Sequence, residues 1–239
     1  MSETYRELLS DDDVIKVEAL LEYYFADKPL LLSALTHRSY LNEHKEATWT
    51  HNERLEFLGD AVLELVITDF LYKKYPDKPE GELTAVRAAL VNTVSLAAAS
   101  DALGINSYLL MSKGEAKDIG RARQYILANT FEAIIGAIYI DGGYVPAQNF
   151  IAVHLFEKTE QIVDKKLWQD AKSRFQELAQ EYRSITPVYQ TLAQEGPDHD
   201  RVFTIGVYLK EEQVAVGSGR SKQEAEQAAA EQAIINCKW

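Results

Sequence analysis

From Asn52 to Tyr75 the chain reads as one long helix, NERLEFLGDAVLELVITDFLYKKY, stopped by Pro76. This run constrains the fold more than any other segment, because it is apolar on nearly every side. Leu55, Phe57, Leu58, Ala61, Val62, Leu63, Leu65, Val66 and Ile67 leave little polar surface beyond Arg54, Glu64 and three further acids. Such a helix is ordinarily buried by neighbours all round, which predicts a helical domain built about it. The three acids, Glu53, Glu56 and Asp60, stand at i, i+3 and i+7. At about 100° per residue they fall within roughly 60° of one another. Spacing alone favours a solvated polar face. The apolar surroundings point the other way, since a carboxylate withdrawn from water needs a partner. Divalent cations with oxygen ligands meet that need.

A second acid sits in similar company. In ILANTFEAIIGAIY, Glu132 stands alone among apolar and small residues, with Asn129 one turn before it. By itself this pair reads as a buried hydrogen bond. Facing Glu56 and Asp60, it would complete an oxygen-rich cluster suited to metal-assisted phosphodiester cleavage.

Elsewhere, Ser10 and Asp11 suit a cap before VIKVEALLEYYF, and Pro29 suits the opening of one helix, LLLSALTHRSYL. ELTAVRAALVNTVSLAAASDAL is an Ala/Leu-rich segment ending at Gly104, and Pro146 opens a helix running to about Asp164. No strand is expected before residue 185. The pattern then changes to helix, three strands, helix: AKSRFQELAQEYR, VYQTLAQEG, RVFTIGVYLK, EQVAVGSG and SKQEAEQAAAEQAIINC. The expected fold is an all-α domain over 1–164 followed by a small α+β (α-β-β-β-α) domain over 170–239.

Net charge is −12, which argues against a generic nucleic-acid binder. Any affinity for nucleic acid must rest on local placement of the few basic residues, such as Lys113, Lys117, Arg121 and Arg123, which equally suit a solvated loop. With one cysteine, Cys237, no intramolecular disulfide or cysteine-based zinc site is possible, which fits a reducing cytoplasm. The start MSETYRELLSDDD lacks the pattern of a secretory signal. No run approaches the ~18 apolar residues of a membrane span.

HNERLEFLGDAVL, from His51 to Leu63, resembles the signature of ribonuclease III. LTHRSY (Leu35–Tyr40), PEG (Pro79–Gly81), the region of Arg87 and ILANTFEAIIGAIY extend the resemblance over essentially the whole chain. It implies an endonuclease that cuts double-stranded RNA as a homodimer, with one cleavage centre per subunit. Products would carry 5′-phosphates, 3′-hydroxyls and two-nucleotide 3′ overhangs, and the substrates would include ribosomal and other precursor RNAs. Position by position, the resemblance assigns Glu53, Asp60, Glu80 and Glu132 to catalysis. It assigns Glu56, Asp60, Asn129 and Glu132 to Mg²⁺, for which Mn²⁺ substitutes. Phe57 matches an aromatic that inserts into the partner subunit, although its residue type fits plain core equally. The family pattern has Asp where this chain has Asn129, which keeps an oxygen donor and loses a charge. Three readings stay open: an active natural variant whose metal is held more weakly or through water, an engineered substitution that slows cleavage, and a catalytically weak or inactive RNA-binding protein of the same fold.

The closing helix–strands–helix pattern resembles a double-stranded-RNA-binding domain, which reads A-form shape through 2′-hydroxyl and phosphate contacts. The resemblance assigns RNA contact to Ser173, Gln176, Glu177 and Gln180 on the first helix, His199 in the loop GPDHD, and Ser221 and Lys222 opening the last helix. Gln176, Gln180 and His199 equally suit an ordinary solvated surface. Glu224 and Glu226 follow Lys222 closely, so weak binding is expected from the isolated module.

Overall fold

Local capping rules set the first helix. In α1 (Asp11–Leu21) the Ser10 hydroxyl accepts from the Asp13 amide at 3.1 Å, and the Asp13 carboxylate accepts from the Ser10 amide at 3.2 Å. This reciprocal box satisfies two orphan donors. The helix ends at Glu22 in the left-handed region, φ 51°, short of the Phe25 that its apolar pattern suggests. The computed structural model describes residues 9–45, 47, 49–164, 168, 170–197 and 201–239.

Residues 30–41, expected as one helix, are two: α2 (Lys28–Ala34) and α3 (Arg38–Glu43). The break has a tertiary cause. Thr36 forms an isolated parallel bridge with Leu110, and the Leu110 amide donates to the Leu35 carbonyl at 2.9 Å while its carbonyl accepts from His37 at 2.8 Å. A distant segment thus takes backbone groups that a continuous helix would use, and the His37 ring caps α3 by accepting from the Ser39 amide. After α4 (Glu53–Lys74), the Ala/Leu-rich segment is likewise split into α5 (Glu80–Leu90) and α6 (Thr93–Ala102), bent by 44°. Asn92 caps α6, accepting from the Ser95 amide at 2.9 Å. α7 (Arg121–Gly142) follows. α8 (Tyr144–Ile151) starts two residues before Pro146 and passes through a π-helical turn at Ala152–Phe156 into α9 (Glu157–Asp164).

α4 and α7 form the central pair of this helical unit. Leu63, Val66 and Ile67 of α4 and Phe131, Ile134 and Ile138 of α7 are fully buried. The expectation that α4 is covered on all sides is not met. Phe57 is 82% exposed, Leu65 57% and Tyr72 72%. One face of α4 seals the core against α7, while on the opposite apolar face those three side chains stay exposed, with no element among the described residues burying them.

The second unit, Gln169–Trp239, stands by itself as α10 (Ala171–Arg183), three antiparallel strands in the order β1 (Val188–Glu195), β2 (Val202–Leu209) and β3 (Glu212–Gly219), then α11 (Lys222–Cys237). Strand alternation buries Ile205, Val207 and Leu209, and Phe175, Ala179, Ala229 and Ala233 complete the core from the helices. Trp239 closes it, its ring centroid 5.5 Å from those of both Phe175 and Tyr182. Among the described residues no single helix is long and apolar enough to cross a membrane.

Candidate active site

Two glycines decide how closely the acid-bearing helices approach. A methyl group added at Gly59 of α4 would lie 1.8 Å from the Glu132 carbonyl oxygen of α7. One added at Gly136 of α7 would lie 2.2 Å from the Leu55 carbonyl oxygen of α4. The two backbones therefore touch, each through a notch in the other, and Glu132 lies at the point of contact. Side chains on either side of the notch converge: Glu53, Glu56 and Asp60 from α4, Asn129 and Glu132 from α7.

Electrostatics register that convergence. Burial raises the Glu132 carboxyl to about 7, helped by the charges of Asp60, Glu56 and Glu64. Glu56 is also raised, first by burial and then by Glu53 and Asp60, while a hydrogen bond from the Asn129 side chain works against the rise. The ends of the α4 stripe carry cations. Arg38 pairs with Glu53 at 3.4 Å, with His51 at 3.8 Å from the same carboxylate. Arg87 pairs with Glu64 at 2.8 Å. Among the described residues, no ion pair reaches Glu56, Asp60 or Glu132 in the middle.

That distribution suits a hard divalent cation. The carboxylates of Glu56, Asp60 and Glu132 and the neutral amide of Asn129 offer oxygen donors, and among the described residues none of the three acids has an ion-pair cation. Among the described residues no three His, Cys, Asp or Glu side chains stand close enough to hold an ion unaided. Mg²⁺ takes one or two carboxylates with water completing its shell. The donor set fits such an ion without a closed protein cage.

Glu80 is placed differently. It opens α5, accepts from the Thr84 hydroxyl at 3.0 Å, and lines a cleft of about 710 Å³ with Thr68, Leu71, Leu83 and Arg87. It is not among the charges that act on Glu132. Glu64 is the neighbour that sequence reasoning passed over. It continues the stripe at i+4 from Asp60, a spacing visible in the sequence, but its pairing with Arg87 is not.

Comparison with known proteins decides the family. Residues 27–159 match a ribonuclease-III-like model, and residues 171–236 match the double-stranded RNA binding motif. The chain belongs to the ribonuclease III family. It is 45% identical to Ribonuclease 3 of Protochlamydia amoebophila over 91% of this chain and 89% of that one. Ribonuclease 3 of Symbiobacterium thermophilum is 46% identical over 90% of each. The nuclease domain of Campylobacter jejuni ribonuclease III, described for flexibility in a region involved in dimer formation, matches 62% of this chain and 99% of its own, with 43% identity and a TM-score of 0.55. Membership makes the chain a double-strand-specific endoribonuclease with a helical nuclease domain and an α-β-β-β-α RNA-binding domain.

On the ribonuclease III framework, the remaining expected residues fall as follows. Ser173, Gln176, Glu177 and Gln180 line one open groove along α10. The Ser221 hydroxyl caps α11, accepting from the Glu224 amide at 3.1 Å, and Lys222 is exposed in its first turn. His199 lies outside the described residues. Of the four basic residues, Arg121 and Arg123 lie not in a loop but in the first turn of α7, and Arg123 is engaged internally, donating to the carbonyls of Glu115, Ala116 and Asp118. The exposure of Phe57 removes the plain-core reading of that residue.

Proposed function

We propose that the chain hydrolyses double-stranded RNA with Mg²⁺, or Mn²⁺ in its place, held by Glu56, Asp60, Asn129 and Glu132. The observation that carries this reading is the notch-set meeting of α4 and α7, beside which Glu56, Asp60 and Glu132 have no ion-pair cation among the described residues. Ribonuclease III-like enzymes are in general metal-dependent. A bound Mg²⁺ supplies an acidified water and neutralises charge on the phosphate. Asp60 and Glu132 lie at the reacting phosphate, Glu53 and Glu80 extend the acidic valley along the duplex, and Arg38 orients Glu53. The exposed face of α4 joins two copies through Phe57, so the working unit is a homodimer. Residues 1–164 form the nuclease and 170–239 the RNA-binding domain, which holds the duplex through Ser173, Gln176, Glu177, Gln180, His199, Ser221 and Lys222. Products carry 5′-phosphates, 3′-hydroxyls and two-nucleotide 3′ overhangs. The substrates are ribosomal and other RNA precursors, and the site of action is the cytoplasm.

One observation favours a second reading. The Asn129 side chain hydrogen-bonds Glu56, engaging a proposed ligand with a neutral neighbour, as a catalytically weak RNA-binding protein would tolerate. Cleavage of a long RNA duplex in Mg²⁺ separates the two. Under the proposed function the parent cuts, Asn129→Asp cuts at least as fast, and Glu132→Ala binds the duplex without cutting. No cutting by the parent beside rapid cutting by Asn129→Asp would establish the second reading. Persistent cutting by Glu132→Ala would remove Glu132 from the centre.

A further inference from the structure

The fourth acid of the α4 stripe, Glu64, differs from Glu56 and Asp60 in having an arginine partner. Arg87, two turns along α5 from Glu80, forms an ion pair with the Glu64 carboxylate, Nε 2.8 Å from it, and donates from Nη1 to the Thr68 hydroxyl at 2.8 Å. The Thr68 hydroxyl in turn donates to the Glu64 carbonyl at 2.6 Å. A guanidinium gripped at two points is fixed in orientation. The pair is part-buried, with the two side chains 32% and 37% exposed, so solvent screens it incompletely. Glu64 also lies close enough to Glu132 for its charge to act there.

We propose that the Glu64–Arg87 pair sets the charge of the cation centre, with Arg87 cancelling Glu64 and tying α5, which carries Glu80, to the acid helix. Arg87 is a positioning residue: it acts through Glu64 and α5 and touches no reacting group. The inference rests on the proposed function's cation reading. It has a signature that simple packing lacks. Removing Arg87 leaves an extra negative charge beside the centre, whereas removing the charge of Glu64 leaves an extra positive one. The two changes must shift cation affinity in opposite directions, and removing both must restore it. Loss of packing between α4 and α5 would shift both single variants the same way.

Mn²⁺ alone is the probe, titrated without RNA into the full chain and followed by the electron paramagnetic resonance signal of the free ion. Arg87→Met is expected to bind Mn²⁺ about 3- to 10-fold more tightly than the parent, and Glu64→Gln weaker by a similar factor, the order expected for one unit charge acting in partly screened surroundings. The double variant is expected to return to within about 2-fold of the parent. In parallel, Arg87→Met at saturating Mn²⁺ and duplex RNA should lose kcat with little change in KM, because tighter cation binding does not restore the anchor of α5. If Arg87→Met does not fold, Glu64→Gln and the double variant carry the same test of sign. Single variants that shift affinity in one direction, or not at all, would overturn the inference while leaving the proposed function standing. A parent chain that binds no Mn²⁺ would overturn the cation reading itself.

Discussion

Replacing Gly59 by alanine tests the contact on which the site depends. The added methyl would lie 1.8 Å from the Glu132 carbonyl oxygen, 2.7 Å from its carbonyl carbon and 2.9 Å from the Gly136 nitrogen. Ordinary van der Waals contact begins near 3.4 Å, so α4 and α7 must separate locally by about 1.6 Å, the difference between 3.4 and 1.8 Å. Every obstructing atom is backbone, and no rotamer change relieves it. Overpacking of this kind costs roughly 1–3 kcal/mol, and with only backbone in the way the upper end applies. Alanine in a helix returns up to about 1 kcal/mol. A net loss of about 2 kcal/mol is expected, or roughly 4–8 °C in the calorimetric transition of the helical unit. Gly81→Ala is the control, since nothing lies within 4 Å of its added methyl; it should be neutral or slightly stabilising. Because the movement displaces Glu132, duplex cleavage by Gly59→Ala should fall by about 100-fold or more. A Gly59→Ala variant as stable and as active as the parent would refute the direct backbone contact.

Three further outcomes are expected. Glu132 is raised in the folded chain to about 7, so it favours the fold while protonated and costs stability as pH rises through 7; in metal-free buffer Glu132→Gln should exceed the parent by about 1–2 kcal/mol at pH 8, after allowance for its partial exposure, and match it near pH 4, with equal urea midpoints at both pH values counting against the raised carboxyl. Phe57→Asp places a charge on the exposed apolar face of α4 and should shift sedimentation from dimer to monomer at micromolar concentration, with the melting temperature losing its dependence on protein concentration; an unchanged dimer would remove Phe57 from the interface. Lys222→Ala should lower the slope of log affinity for duplex RNA against log salt by about one, and an unaltered slope would take Lys222 off the phosphate backbone.

Much of this molecule is readable from its residues, and the unreadable parts share a cause. The 3.6-residue period places Glu53, Glu56 and Asp60 on one side of α4, and alternation marks β2 and β3. Periodicity says which side chains share a face but not what faces them. LLLSALTHRSYL reads as one helix until Leu110, some seventy residues away, takes the backbone groups of Leu35 and His37. The apolar surround of α4 promises burial on every side, yet Phe57 and Tyr72 face outward, because the same composition serves a core and an outer face. Arg87 reads as one more charge on α5 until the fold sets it against Glu64. Gly59 and Gly136 look like weak points in helices, and only the crossing of α4 over α7 shows why a side chain is excluded at both.

The notch has a consequence for how such a centre can change over time. The separation of the two helices is fixed by main-chain atoms, which every residue possesses, and not by the groups that bind. Ligand identity can therefore drift at one position while the frame that presents it stays still. Asn129 stands on that frame one turn before Glu132, and aspartate there would change charge without changing spacing. Aspartate at position 129 would meet the same frame, so chemistry built on this crossing can be tuned or muted by single substitutions without refolding.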